Sequence, residues 1–155
     1  MEDACLDAIM AFFSNEVLWC AVAAWFVAQA LKIPLYRLTD KKWDLTRFFG
    51  SGGMPSSHTA FVVSLSIMTG MMAGFDKPEF AVAVVLACIV MYDASGVRRE
   101  TGLQAEVLND IVKKVFVDGQ PITDVELKEL IGHTKVEVAG GFVVGVLTAL
   151  VFILL

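Results

Sequence analysis

Four long blocks of the sequence carry almost no charge, and this feature constrains the fold more than any other. Residues 17–31, 59–75 and 139–155 contain no charged side chain, and residues 80–97 contain only Asp93. A helix needs about 20 apolar residues to cross the hydrocarbon core of a bilayer, with a lower limit of about 17. The blocks therefore predict an all-α, polytopic membrane helix bundle.

We expect a single membrane-embedded domain over residues 1–155. The predicted membrane helices lie at about 15–33, 56–75, 79–97 and 135–155. The sequence is 57% hydrophobic, against roughly 45–50% in a typical soluble domain. A soluble helical bundle is the less favoured alternative, because the last apolar block has no polar face.

Composition also limits the function classes. The net charge of −5 argues against a nucleic-acid partner, since nucleic-acid binding depends on neutralising phosphates with basic side chains. The cysteines, Cys5, Cys20 and Cys88, lie in apolar surroundings without the spacing of a metal or redox site. We therefore expect membrane lipids as partners and no nucleic acid.

The distribution of basic residues predicts how the chain is oriented in the membrane. Segment 32–49 has five Lys or Arg residues and segment 98–135 has six, whereas segment 76–79 has one. Cytoplasmic loops carry the Lys and Arg excess. We therefore expect the first and third loops in the cytoplasm and both termini on the opposite side. Segment 98–134 has an apolar stripe at helical spacing, which would lie on the membrane surface or cover the bundle.

A glycine-rich loop runs directly into the second apolar block. Residues 50–58 read Gly-Ser-Gly-Gly-Met-Pro-Ser-Ser-His. This order places backbone N–H groups, two hydroxyls and an imidazole at the start of a helix. Helix N-termini carry unsatisfied donors and partial positive charge, and they bind anions such as phosphate. The loop is therefore a candidate phosphate site.

The chain has two histidines, His58 and His133, and each stands at the start of a predicted membrane helix. Two helices separate the glycine-rich loop from Arg98, so the expected topology places both histidines and Arg98 at one membrane surface. His133 and Glu137 are four residues apart and share a helical face, so the carboxylate could orient the imidazole. Thr134 and Glu137 equally form a capping box. The two interpretations are partly exclusive if the carboxylate points only one way.

Four basic residues are candidate phosphate ligands, but anchoring and orienting the chain in the membrane would equally explain their positions. Arg98 and Arg99 offer planar donors for phosphate oxygens. Each would equally serve to anchor the third membrane helix at the lipid headgroups. Lys41 and Arg47 fit the role of surface charges that set topology, with one of the basic residues of this loop able to turn toward the site.

Three blocks of the sequence resemble a known group of membrane proteins. Residues 55–58, Pro-Ser-Ser-His, resemble the Pro-Ser-Gly-His motif of the type 2 phosphatidic acid phosphatase (PAP2) superfamily. Residues 133–140 resemble its His-x-x-x-Asp-Val ending. Together with residues 92–99 and 104–109, the whole layout is similar to the divergent PAP2 family of small membrane proteins.

This resemblance implies an integral-membrane lipid phosphatase that needs no metal and no cofactor. His133 would attack phosphorus and form a phosphohistidine, Glu137 would orient it, and His58 would protonate the leaving oxygen. The resemblance together with the basic residues implies a phosphate-binding set of Arg98, Arg99, Ser57, Ser56, Gly53, Arg47 and Lys41. Phosphatidic acid, phosphatidylglycerophosphate and polyprenyl phosphates or diphosphates fit as substrates.

The chain also departs from the superfamily pattern, which keeps a second function open. Ser57 stands where the motif has glycine, and Glu137 stands where it has aspartate. The Lys-x6-Arg-Pro motif is absent, since five residues separate Lys41 from Arg47. The alternative is a catalytically inactive protein that binds lipid phosphates or acts as a scaffold.

Two pairs of glycines at helical spacing raise the question of a homodimer. Gly70 and Gly74 lie in the second predicted membrane helix, and Gly141 and Gly145 lie in the fourth. Such pairs permit close helix approach. Inside a four-helix protein we expect them to serve internal packing more than dimerisation.

Overall fold

Six α-helices form the described part of the chain, which comprises residues 2–40, 48, 53–115 and 133–155 of a computed structural model. The helices are α1 (Glu2–Phe13), α2 (Glu16–Asp40), α3 (Ser57–Ala73), α4 (Pro78–Ser95), α5 (Val97–Val115) and α6 (Lys135–Leu154). The all-α prediction is confirmed. The predicted membrane helices correspond to α2, α3, α4 and α6.

Helix α3 lies at the centre of the bundle and packs against α2, α4 and α6. It is apolar on most sides, as expected for a helix surrounded by other helices. Small residues allow the close contacts: Ala60 of α3 packs with Ala24 and Ala28 of α2 and with Val144 of α6. A second cluster joins Cys20, Met68 and Ala149 from the same three helices.

The outer surface of the bundle is apolar. Large hydrophobic side chains of α4 and α6 are exposed, among them Val82, Val85, Ile89, Phe142 and Leu147. By length and composition, the segments Glu16–Leu38, Pro78–Asn109 and Lys135–Leu154 can each cross a membrane, and α3 is a shorter apolar helix. An all-α membrane bundle accounts for this exposed apolar surface, which lipid would cover.

Helix α2 continues beyond the predicted end of the first membrane helix at residue 33. It runs to Asp40 and includes Pro34 and Arg37, which lie beyond that predicted end. A proline removes one helical hydrogen bond, and in membrane helices neighbouring groups compensate for that loss. Lys32, near that predicted end, is a good helix former, and its side chain is buried inside the bundle.

Helix α5 presents outward the part of its apolar stripe whose side chains are described. Leu103, Val107 and Leu108 of the predicted stripe are exposed, whereas Ala105 and Asn109 are buried. This part of the stripe therefore does not cover the bundle. The remainder of the predicted polar segment, residues 116–132, lies outside the described residues.

The glycine pair of α6 packs against α3. A Cβ atom added at Gly141 would overlap the carbonyl oxygen of Ser56, and one added at Gly145 would lie 2.8 Å from the carbonyl oxygen of Ala60. The expectation of internal packing is confirmed for this pair. In the other pair, Gly74 has φ +112° and forms the C-cap of α3, where the left-handed region favours glycine.

We predict that Gly141→Ala destabilises the protein by about 1–3 kcal/mol, because the obstructing atom is backbone and cannot move aside. Gly140→Ala is the matched control, since its added Cβ would first meet the flexible end of Met54, 3.2 Å away. Thermal unfolding in detergent measures both. Equal midpoints for the two variants would contradict the packing described for α3 and α6.

Candidate active site

The side chain of Glu137 makes two hydrogen bonds with one oxygen atom. Its Oε2 lies 3.1 Å from Nδ1 of His133 and also accepts the backbone N–H of Thr134 at 2.9 Å. The backbone N–H of Glu137 donates to Oγ1 of Thr134, which completes a capping box at the start of α6. Our expectation that the two roles are partly exclusive is wrong, because one carboxylate oxygen has enough lone pairs for both donors.

This contact determines what the other nitrogen of His133 can do. A carboxylate only accepts hydrogen bonds, so the contact favours the tautomer that carries its proton on Nδ1. Nε2 then has a free lone pair. The side chain of His133 is only 2% exposed, and Nε2 has no hydrogen-bond partner among the described residues. The arrangement is that of an oriented nucleophile or base.

Two backbone hydrogen bonds join three helices at this point. The N–H of His133 donates to the carbonyl of Ala94 near the end of α4, at 2.8 Å. The N–H of Ser56, the N-cap of α3, donates to the carbonyl of Glu137 at 2.9 Å. The start of α3, the end of α4 and the start of α6 therefore meet at one end of the bundle.

His58 lies beside His133, as the topology argument predicts. The ring centroids are 6.2 Å apart and the rings are tilted by 56°. His58 is half-buried in the first turn of α3. It lines a cavity of about 190 Å³ together with Ile89, Val90, Asp93 and Ala94 of α4. The only two histidines of the chain are thus neighbours in space, although they are 75 positions apart in the sequence.

Lys32 is a site residue that the sequence reasoning missed. Its side chain is only 3% exposed, and it lies within electrostatic range of the carboxylate of Glu137. We had counted it as a topology charge in a loop. The available signal was its spacing, since Ala24, Ala28 and Lys32 recur every four residues and so share one face of α2.

Comparison with known proteins agrees with this architecture. The model of the Divergent PAP2 family matches residues 13–148. The chain belongs to the divergent PAP2 family. It is 38% identical over 152 residues to YuiD of Bacillus subtilis (strain 168), an uncharacterized membrane protein, and the match covers 92% of this chain and 96% of YuiD. No solved structure matches the chain.

In this divergent PAP2 protein, Ser56 and Ser57 are both buried at the start of α3. The hydroxyl oxygen of Ser56 accepts the N–H of Thr59 at 3.3 Å and its hydroxyl at 3.1 Å, so Ser56 caps the helix. Ser57 is 2% exposed. Gly53 precedes them with φ +91°, in the left-handed region that favours glycine. Phosphate binding by these three residues stays a prediction.

The four basic residues predicted to bind phosphate lie partly or wholly outside the described residues. The backbone of Arg98 and Arg99 is in the first turn of α5, directly after the end of α4, and their side chains lie outside the described residues. Lys41 and Arg47 lie outside them entirely. Within the described ranges, no group of three or more His, Cys, Asp or Glu side chains is arranged to hold a metal ion.

We predict that Thr134→Ala lowers the free energy of unfolding by about 1 kcal/mol, because the N-cap hydroxyl of α6 is lost. Thr134→Ser keeps the hydroxyl and should retain most of the stability. Because Thr134 is exposed, no packing change accompanies the substitution. An unfolding midpoint for Thr134→Ala equal to that of the wild type would show that the capping box does not stabilise α6.

Proposed function

We propose that this divergent PAP2 protein is an integral-membrane, metal-independent lipid phosphatase that hydrolyses a lipid phosphate or diphosphate through a phosphohistidine. One observation carries the proposal. His133 is buried, its Nδ1 contacts the carboxylate of Glu137, and its Nε2 is unpaired among the described residues and lies on a ring next to His58.

The first chemical step follows from the two histidines. Nε2 of His133 attacks phosphorus and forms the N–P bond, while the bond from phosphorus to the lipid oxygen breaks. His58, in its protonated form, gives its proton to that oxygen, and the lipid alcohol or lipid phosphate leaves. The ring of His133 gains positive charge in this step. Glu137 stabilises that charge through the Nδ1–H hydrogen bond, as the carboxylate of a catalytic triad does.

The second step regenerates the protein. Neutral His58 takes a proton from a water molecule, and the water oxygen attacks the phosphohistidine. The N–P bond breaks, inorganic phosphate forms, and Nε2 of His133 recovers its lone pair. The same residue therefore acts first as acid and then as base, and no external oxidant, reductant or metal is required.

The start of α3 is suited to hold the phosphate between the two steps. Helix N-termini stabilise anions through their N–H groups and the helix dipole, and His58 lies in the first turn. We assign Arg98, Arg99 and Ser57 as further ligands from the family resemblance. Preorganised donors of this kind stabilise the charge of the transition state without a metal.

The surroundings of His58 favour a lipid as the leaving group. Its cavity is lined by Ile89 and Val90, which are apolar, and by Asp93, which can accept hydrogen bonds from hydroxyl groups. Ile89 is also part of the exposed apolar surface of α4. Phosphatidic acid, phosphatidylglycerophosphate and polyprenyl phosphates or diphosphates combine such apolar and polar parts.

The test is phosphate release from a panel of these lipids by purified protein in mixed micelles. We expect His133→Ala to abolish turnover and His58→Ala to reduce it by about 10²–10⁴-fold. Lys77→Gln is the control, since Lys77 is exposed and lies between α3 and α4, away from the start of α3. Full activity in both histidine variants would exclude the mechanism.

A second candidate function is the reversible binding of lipid phosphates without turnover. The buried Ser57 favours it, because a serine side chain occupies space at the helix start where the superfamily has glycine. Rapid acid-free quenching with a phosphorus-32-labelled lipid distinguishes the two. Label retained covalently by the wild type and lost in His133→Ala supports the enzyme, whereas saturable binding without covalent label supports the binder.

A further inference from the structure

We propose that Lys32 is a positioning residue of the candidate active site. Its buried ammonium group is the counter-charge that keeps the Glu137 carboxylate ionised and in place against Nδ1 of His133. This inference deepens the proposed function and rests on it for its catalytic consequence. No sequence motif assigned a role to Lys32, and its place in the structure is the reason for the proposal.

The placement of Lys32 follows from the packing of α2. Ala24 and Ala28 pack against Ala60 of α3 and Val144 of α6. Lys32 is one turn further along the same face, and it is 3% exposed. Helix α2 therefore brings a long cationic side chain into the interior near the start of α6, where its charge acts on Glu137.

The energetics of burial explain why such a lysine needs a carboxylate. An ionised side chain inside a membrane bundle is costly unless it is paired, and such residues commonly mark functional sites. The carboxylate of Glu137 is only 21% exposed. In the tautomer that carries its proton on Nδ1, His133 has no net charge, so neither its hydrogen bond nor that of Thr134 compensates the formal charge of the carboxylate. Lys32 offers the opposite charge from the facing helix α2, within electrostatic range of this carboxylate.

The ionisation of Glu137 determines the tautomer of His133. An ionised carboxylate holds the proton of the imidazole on Nδ1 and leaves Nε2 bare. Without the charge of Lys32, the partly buried carboxylate loses one of the interactions that keep it ionised, and it is more easily protonated or turned toward solvent. In either case the hold on Nδ1 weakens, and the proton of the ring moves in part to Nε2. Lys32 therefore acts on the reaction through Glu137.

The tautomer of His133 is a readout that needs no activity. Because the chain has two histidines, His58→Ala leaves His133 as the single histidine once any affinity tag is removed. Nitrogen-15 spectra of the labelled ring, recorded in detergent micelles at pH 8, report which nitrogen carries the proton. In the His58→Ala protein that keeps Lys32, we expect the ring proton of His133 on Nδ1. When Lys32→Met is added, we expect a substantial fraction of His133 with the proton on Nε2.

Two further variants test whether the effect depends on a positive charge and on its buried position. Lys32→Arg keeps a positive charge and should keep Nδ1–H. Lys135→Met removes a positive charge that is exposed and two residues from His133, so solvent screening should leave the tautomer unchanged. If Lys32→Met shows the same tautomer as its parent, the proposal is overturned. This result stands even if the wild type has no phosphatase activity, so failure of the inference and failure of the proposed function are distinguishable.

With His58 intact, kinetics separate positioning from direct contact with phosphate. A positioning role predicts that Lys32→Met lowers kcat about tenfold or more with little change in KM, and that Lys32→Arg recovers part of the loss. Direct contact instead predicts a raised KM and weaker inhibition by vanadate with kcat unchanged. That second pattern would overturn the proposal and make Lys32 a phosphate ligand.

A double variant keeps the test valid if Lys32→Met alone does not fold. Lys32→Met with Glu137→Gln removes both charges, so no uncompensated charge stays buried and the unfolding midpoint should recover toward that of the wild type. If Lys32 acts through Glu137, the double variant has the same kcat as Glu137→Gln alone. A further loss of tenfold or more in the double variant would contradict the proposal.

Discussion

The carboxylate of Glu137 is the contact on which the arrangement at this end of the bundle depends. One of its oxygens contacts the ring of His133 and accepts the backbone N–H of Thr134, the N-cap of α6, while its backbone carbonyl accepts the N–H of Ser56 at the start of α3. A single residue therefore caps one helix, joins it to another and orients the candidate nucleophile. In this protein the stability of the region and the proposed chemistry therefore involve the same group.

Close packing of α3 and α6 makes this contact geometrically attainable. Gly141 and Gly145 remove the side chains that would separate the two backbones, and Ala24, Ala28 and Ala60 do the same for α2 and α3. Within the bundle small residues let the helix backbones approach closely. Such packing is needed because the hydrophobic effect does not drive helices together in lipid. The polar residues then meet at the end where α3 and α6 begin.

Much of the fold and part of the site could be predicted from the sequence, for physical reasons that differ between residues. Uncharged blocks predicted the membrane helices because length and hydrophobicity alone suffice to cross a bilayer. Counting helices between His58 and His133 predicted that the two rings lie at one end. Lys32 was missed because a charge two residues before a proline resembles the start of a loop, and Glu137 on α6 is distant from it in sequence. The double role of Glu137 was misjudged because spacing specifies which groups can meet and says nothing about how many donors one oxygen accepts.

The central claim is that His133 presents a bare Nε2 to a phosphate held at the start of α3. Its most direct test is a structure of the protein with bound orthovanadate, which mimics a phosphoryl group in transfer. The account predicts vanadium bonded to Nε2 of His133, with His58 on the opposite side of the anion and Glu137 still on Nδ1. Vanadate bonded to His58, or bound with the Nδ1 contact to Glu137 broken, would contradict it.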